Sequence, residues 1–457
     1  MKLISKSPSK NYEVLGEVEE TTKDEVLEKL QKAREIQKYW EDLGLIKRIE
    51  ILREIYNGFE AKFDEIARLI SAEMGKPIIQ AEAEMTQTLS YFKWDLDNAG
   101  EYISPEVTFE NDTEIHKVFY EAKGIVATIT PFNYPFSLFV GHTYQNLIVG
   151  NVVINKPDPS TPLLCKLLEE IINNTTLPKG VQQIVYGGKE IGIFLVEQDI
   201  NMICFVGNTK TGEYLHKVAA TKMIPILMEL GGSAAGIVCE DSDLDSVIDG
   251  IFKKKFTNAG QFCHGLKRLI VHENIFDDVV ERLKNICEKQ IIGDSDNRNA
   301  TLGSLVSKNQ LNTLIDQFND AVIKGAKVIC GGKQPTNLKG SYFEPTILTN
   351  ITKDMKVWKE EVFGPVLPVV SFKTIDEAIE LGNDTIYGLG GYVFTTNKET
   401  FEKVSKELKT GMVSCNNLAY SLPKNPFGGT KASGLGRVRG KWGFRELCNI
   451  KVVAFEK

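Results

Sequence analysis

Histidine is scarce in this chain of 457 residues, and the five present (His116, His142, His216, His264 and His272) form no H-x-x-x-H pair. The eight cysteines, Cys165, Cys204, Cys239, Cys263, Cys287, Cys330, Cys415 and Cys448, form no C-x-x-C pair. Neither spacing suits a zinc site or a dithiol redox centre, so no structural or catalytic metal is expected. Thiols this widely spread read as reduced core residues of a cytoplasmic protein. No apolar stretch reaches the roughly 18 residues of a membrane span. The start, Met1-Lys-Leu-Ile-Ser-Lys, lacks the apolar run of a signal peptide. A basic excess is absent too: 54 Lys and Arg against 61 Asp and Glu leave a net charge of −7. Neither nucleic acid nor an anionic membrane surface is therefore expected as a partner. Solenoid repeats and low-complexity linkers are also missing.

The chain is too long for one ordinary core, and two or three domains are expected. Its first hundred residues read as a short strand over 14–18 and helices over 26–40, 46–74 and 81–99. Thr22-Lys-Asp-Glu25 is a capping box, and Gly75-Lys-Pro77 ends the second helical run. From Gly124 onward, short β-branched runs (125–129, 151–155, 202–206) alternate with helical stretches (161–173, 190–198). That alternation predicts a parallel, doubly wound sheet with ligands at the carboxyl ends of its strands. A second α/β alternation begins after Gly232. Residues 115–120 and 450–455 read as partly exposed strands.

Cys263 stands after a Gly-Gln turn, between a helix expected over 244–256 and a strand over 268–272. A thiol at such a junction can be lifted out of the core to attack a substrate. Alone it reads as a buried core cysteine. Asn133 alone reads as a turn-former before Pro135, Glu229 as a solvated carboxylate at a strand end, and Lys156 as a surface lysine. His264 adjoins the nucleophile, but neighbours on an extended chain point to opposite sides, so it reads as structural or pocket-lining.

Taken together, five blocks change these readings. They are Ile129-Thr-Pro-Phe-Asn133-Tyr-Pro135, Met228-Glu229-Leu-Gly-Gly-Ser233, Thr257-Asn-Ala-Gly-Gln-Phe-Cys263, Glu360-Glu361-Val-Phe363-Gly-Pro365 and the run from Pro426-Phe427-Gly-Gly to Arg437. In this order and spacing the chain, from about Ser7 to its end, resembles the aldehyde dehydrogenase superfamily. The resemblance implies an α/β fold with a Rossmann-like NAD(P)-binding domain (1–100 and 122–232), an α/β catalytic domain (233–440) and a β-arm for oligomerisation (101–121 and 441–457). It implies a homodimer or homotetramer. Cys263 becomes the nucleophile, Glu229 the general base and Asn133 the oxyanion donor. The cofactor, NAD or NADP, falls to Thr130, Phe132, Lys156, Gly187, Gly207, Asn208, Gly212, Leu230, Glu361 and Phe363. Gly207-Asn-Thr-Lys-Thr-Gly212 stands where the family has G-S-T-x-x-G.

Three departures from the family pattern are Phe132 for tryptophan, Val438 for glutamate after Arg437, and Pro159 for a glutamate that disfavours NADP. The last leaves NAD and NADP open, with Asp158 able to repel a 2′-phosphate and Ser160 able to bond one. The ending Gly443-Phe-Arg-Glu-Leu-Cys-Asn-Ile-Lys451 resembles the succinate-semialdehyde dehydrogenase branch. A carboxylated small-molecule aldehyde would then meet Ser421, Lys424, Asn425 and Phe427. Acyl-transferring relatives tend to lack a glutamate at 229, so hydrolysis to the free acid is expected. A catalytically silent protein on this fold would have lost Cys263, Glu229 or Asn133, and all three are present.

Overall fold

A computed structural model describes residues 1–457. Two large sheets divide the α/β body. In the first, six strands run in the order 434–435, 226–229, 202–206, 125–129, 152–156 and 182–184. All are parallel except Gly434–Leu435, which pairs antiparallel with Ile226–Glu229. Val152–Lys156 and Met202–Val206 are buried along their whole length. Their near-continuous apolar runs are what a parallel sheet covered on both faces requires. The second sheet has seven strands, in the order 327–330, 346–349, 366–372, 266–272, 234–238, 390–394 and 412–415. The chain passes from the first sheet to the second through Leu230-Gly-Gly-Ser233 and returns with Gly434. One hydrophobic core lies around the first sheet and two flank the second.

The first strand, Lys2–Ser7, was not expected; it pairs antiparallel with Glu13–Glu19. Thr22 makes both bonds of its capping box with Glu25. The single helical run expected over 46–74 is two helices, Gly44–Ala61 and Phe63–Met74. Lys62, with φ −105° and ψ 20°, breaks the ladder between them. The apolar spacing continues through the break because both helices pack on the same long helix, Ile78–Ile103. Gly75 closes the second helix at φ 75°, a left-handed conformation that glycine takes without strain.

Three antiparallel strands, Glu106–Glu110, Glu114–Ala122 and Cys448–Glu456, form a separate arm. Ile450 pairs with Tyr120 and Phe455 with Ile115 within the one chain. Val107, Phe109, Ile450, Val452 and Phe455 stand exposed on this arm. No helix is long and apolar enough to cross a membrane.

Candidate active site

The helix Leu244–Phe256 ends in a tight segment in which Asn258 (φ 53°), Ala259 (φ 51°) and Gly260 (φ 75°) are all left-handed. This turn presses Gly260 against the carbonyl oxygen of Gly364, where an added Cβ would sit 2.3 Å away. The next residues emerge from the core, so Cys263 is half-buried although the preceding residues from Asn258 to Phe262 are buried. The Cys263 N–H donates to no protein acceptor. Its Sγ lies 3.8 Å from Nδ1 of His264. The expected opposite orientation of these two side chains is thus corrected: residues 263–264 form a turn, not an extended strand. Burial pushes the Cys263 thiol up to about 12, with the Glu229 and Glu361 carboxylates adding to it and Lys267 opposing. Burial holds His264 down at about 3. The pair is therefore a neutral thiol beside a neutral imidazole.

Asn133 follows the strand Ile125–Ile129 and precedes the helix Pro135–Val149. Its Nδ2 donates to the Gln261 carbonyl at 3.1 Å, two residues before the thiol. An amide nitrogen carries two hydrogens, so one remains. The Asn133 backbone carbonyl accepts from Lys76 Nζ at 3.0 Å and from Asn258 Nδ2 at 2.9 Å. Lys76 is fully buried and ion-paired with Glu84, which is equally buried. The other carboxylate oxygen of Glu84 accepts the N–H groups of Phe136 and Ser137, each at 3.1 Å. Those are free donors at the start of a helix, where negative charge is favoured. One buried ion pair thus fixes both the helix start and the asparagine before it. The helices before residue 100 read from sequence as scaffold only. Lys76 and Glu84 were missed because the backbone groups they hold, in Asn133, Phe136 and Ser137, lie more than fifty positions away.

Glu229 ends the strand Ile226–Glu229 and is buried. Its Oε1 has no hydrogen-bond partner. Nε2 of His142 lies 3.7 Å away, and His142 Nδ1 is also unpartnered. Burial pushes Glu229 up to about 7, with Arg439 opposing, and holds His142 at about 4. A carboxylate poised near neutrality suits proton transfer. Two glycines bring this strand to the thiol. A Cβ at Gly232 would lie 2.6 Å from the Cys263 carbonyl oxygen, and one at Gly231 would lie 2.4 Å from Oε2 of Glu361. His142 drew no attention in the sequence beyond its failure to form a metal pair.

Thr130 and Gly207 follow, and Lys156 ends, neighbouring parallel strands, so the three share the carboxyl end of the first sheet. Thr130 donates its N–H to the Lys156 carbonyl at 3.3 Å. The Lys156 ammonium has no ion pair; burial lowers its pKa while Asp158 and Glu20 raise it. Gly207 abuts the Phe205 ring and Gly212 abuts Leu230, each too closely for a Cβ. Gly187 is pressed in the same way on Ile191. Asn208 caps the helix Thr209–Lys222, accepting the Thr211 N–H at 2.9 Å. From the second sheet's side comes Glu361, whose Oε1 is buried without a hydrogen bond, 3.8 Å from Lys267 Nζ. Phe363 meets Phe132 edge to face at 6.1 Å. A glycine-lined strand end, an ammonium without an ion pair and a carboxylate oxygen without a hydrogen bond fit the phosphates and ribose hydroxyls of a dinucleotide.

The substrate-side residues separate. Lys424 is exposed, and Asn425 donates its amide to the Tyr420 carbonyl at 3.0 Å, bracing its own loop. Phe427 is buried, 5.5 Å from the His264 ring. Ser421 accepts a hydrogen bond from Arg439, a residue the sequence reading passed over. Arg268, which follows Lys267, is structural: it donates to the carbonyls of Ser233, Leu381, Gly382 and Asp384.

A half-buried cysteine, a buried carboxylate and a nucleotide-type sheet together fit an oxidoreductase. The comparisons with known proteins make this specific. A description of the aldehyde dehydrogenase family matches residues 2–453, and the chain belongs to that family. It is 36% identical over 452 residues to a peroxisomal aminoaldehyde dehydrogenase of Pisum sativum, covering 96% of this chain and 90% of that one. It is 31% identical over 442 residues to a probable NADP(+) succinate-semialdehyde dehydrogenase of Sinorhizobium fredii, again covering 96% and 90%. Among solved structures, an NAD+ complex of a Bacillus cereus aldehyde dehydrogenase superposes with a TM-score of 0.96 at 28% identity, covering 100% of this chain and 93% of that one. Aldehyde dehydrogenases use NAD or NADP, as these two relatives illustrate.

Proposed function

We propose that this chain oxidises a short aldehyde to its carboxylic acid with NAD or NADP, through Cys263, Glu229 and Asn133. The observation that carries this reading is the convergence of three separate segments on one thiol. Gly232 touches the Cys263 carbonyl, and Asn133 bonds the Gln261 carbonyl. Glu229 stands near enough for its charge to act on the thiol.

The Cys263 sulfur attacks the aldehyde carbon. A thiol held this high needs a base, and Glu229, near neutrality, takes the proton. The oxygen that becomes negative meets the spare Nδ2 hydrogen of Asn133 and the free Cys263 N–H. Each such donor contributes about 3–4 kcal/mol in the transition state. NAD or NADP, when bound, accepts the hydride that turns this thiohemiacetal into a thioester. Glu229 gives up the thiol proton to solvent, then as a carboxylate takes a proton from the water that attacks the thioester; it returns this proton to the departing Cys263 sulfur, and the acid is released.

Succinate semialdehyde is the substrate we propose, supported by the chain's ending and by relatives named for succinate and glutarate semialdehydes. The exposed apolar residues of the arm support assembly into a homodimer or homotetramer. Eight free cysteines support a reducing, cytoplasmic setting. The test is the initial rate of nicotinamide reduction with succinate semialdehyde and uncharged aldehydes, alongside Cys263→Ala. Activity that survives in Cys263→Ala would sink the mechanism.

A further inference from the structure

Arg439 is set apart from every other arginine that the fold covers. Arg53, Arg282 and Arg445 pair with carboxylates, and Arg48, Arg268 and Arg437 donate to backbone carbonyls. Arg439 is half-buried yet forms no ion pair, and its one hydrogen bond goes to the Ser421 hydroxyl. Four of its five N–H donors are therefore unused. Its guanidinium carbon lies 4.8 Å from the Tyr91 ring centre and 5.0 Å from that of Phe427, which hold the group flat. Its backbone, at φ 68° and ψ 158°, lies in a region that is almost wholly glycine's. A non-glycine residue kept in such a conformation strains the backbone and points to a task.

Its place is the substrate side of the thiol. The Phe427 ring that carries Arg439 also meets His264, whose Nδ1 is the close neighbour of the Cys263 sulfur. The charge of Arg439 acts on His264, His142 and Glu229. The helix Pro135–Val149 is buried except at Ser137, Leu138 and Gly141. At Gly141, next to His142, an added Cβ would meet nothing within 4 Å. That face of the helix is therefore open next to His142, one of the groups on which the Arg439 charge acts.

We propose that Arg439, with the Ser421 hydroxyl beside it, is the subsite for the distal carboxylate of an ω-carboxylated aldehyde. This rests on the reading of Cys263 as the nucleophile. A planar guanidinium with unused donors matches a carboxylate through two parallel bonds. It repels an ω-ammonium group, so aminoaldehydes are disfavoured in spite of the aromatic lining.

The experiment compares kcat/KM for succinate semialdehyde and for butanal in the parent, Arg439→Gln and Arg439→Lys. The ratio of the two should fall about 10- to 100-fold in Arg439→Gln, the range expected for a lost charged hydrogen bond. Arg439→Lys, which keeps the charge and loses the fork, should recover part of it. Arg439→Glu should raise the relative rate with 4-aminobutanal. A ratio unchanged within about threefold in folded Arg439→Gln overturns the proposal, as does a parent that prefers butanal or 4-aminobutanal. Succinate as a non-reacting probe separates this from failure of the reaction itself. It should protect Cys263 from alkylation in the parent and not in Arg439→Gln, whether or not any aldehyde is oxidised. Equal protection in both again overturns the subsite.

Discussion

Replacing Glu229 by glutamine removes a charge that the fold makes costly to form. In the unfolded chain this carboxyl ionises near its ordinary 4.5; in the fold, burial moves it to about 7. Ionising it in the native state therefore costs about 3 kcal/mol more than in the unfolded chain. Below pH 4.5 both states hold the proton and the residue contributes no pH dependence. As the pH rises from 4.5 to about 7 the unfolded state releases its proton first, and stability falls. Above 7 both states are ionised and the loss is complete. Glutamine has no proton to release. Urea unfolding of the parent and Glu229→Gln at intervals from pH 4.5 to 8.5 (~pH 8.5 being well past both values) should show the variant gaining steadily on the parent, by about 3 kcal/mol at the alkaline end. Because glutamine keeps the volume, its own amide adds only a pH-independent offset. The catalytic arm moves the other way. Parent activity should rise with pH through about 7, and that limb should vanish in the variant, whose turnover is small. Parallel stability curves for the two proteins would show that Glu229 is not held near neutrality by burial, and the base assignment would lose its physical basis.

Lys76→Met should lower kcat about 10- to 100-fold with little change in the KM for nucleotide, because it acts through Asn133. In the double variant with Asn133→Ala the extra loss should nearly disappear; fully additive losses would show that Lys76 acts elsewhere. Gly232→Ala places a Cβ 2.6 Å from the Cys263 carbonyl, so activity should fall sharply while stability drops by about 1–3 kcal/mol, measured by denaturation and initial rates. NAD should be preferred to NADP, because the Asp158 and Glu20 carboxylates act on Lys156 and would repel a 2′-phosphate there. Equal kcat/KM values for the two cofactors would count against that electrostatic reading.

Three of the six strands of the first sheet could be read from sequence because each is a short β-branched run closed by a motif; 182–184 and 434–435, of three and two residues, are too short to show a pattern. Residues 125–129 and 202–206 were placed to the residue. Cys263, Glu229 and Asn133 drew attention only through the five blocks taken together, since each alone reads as structural; the fold brings their segments to one place. The break at Lys62 was not legible, since the apolar period runs straight through it. Lys76, Glu84, His142 and Arg439 escaped for a different reason. Their significance lies in missing or distant partners: a carbonyl fifty-seven positions on, an unpartnered carboxylate, a guanidinium without an anion. Spacing along a chain carries no sign of such pairs. The approach of His264 to the thiol was misjudged because a turn was taken for a strand.

The pairing of Gly434 with Glu229 has a consequence for the order of assembly. Until that short strand docks, Ile226–Glu229 is the outer edge of the first sheet, open to water. A carboxylate on an open edge is an ordinary surface acid, with no reason to hold its proton near neutrality. Gly434–Leu435 is the last strand of the two sheets to be reached along the chain, so a chain cut before it can form the others and still leave this carboxylate wet.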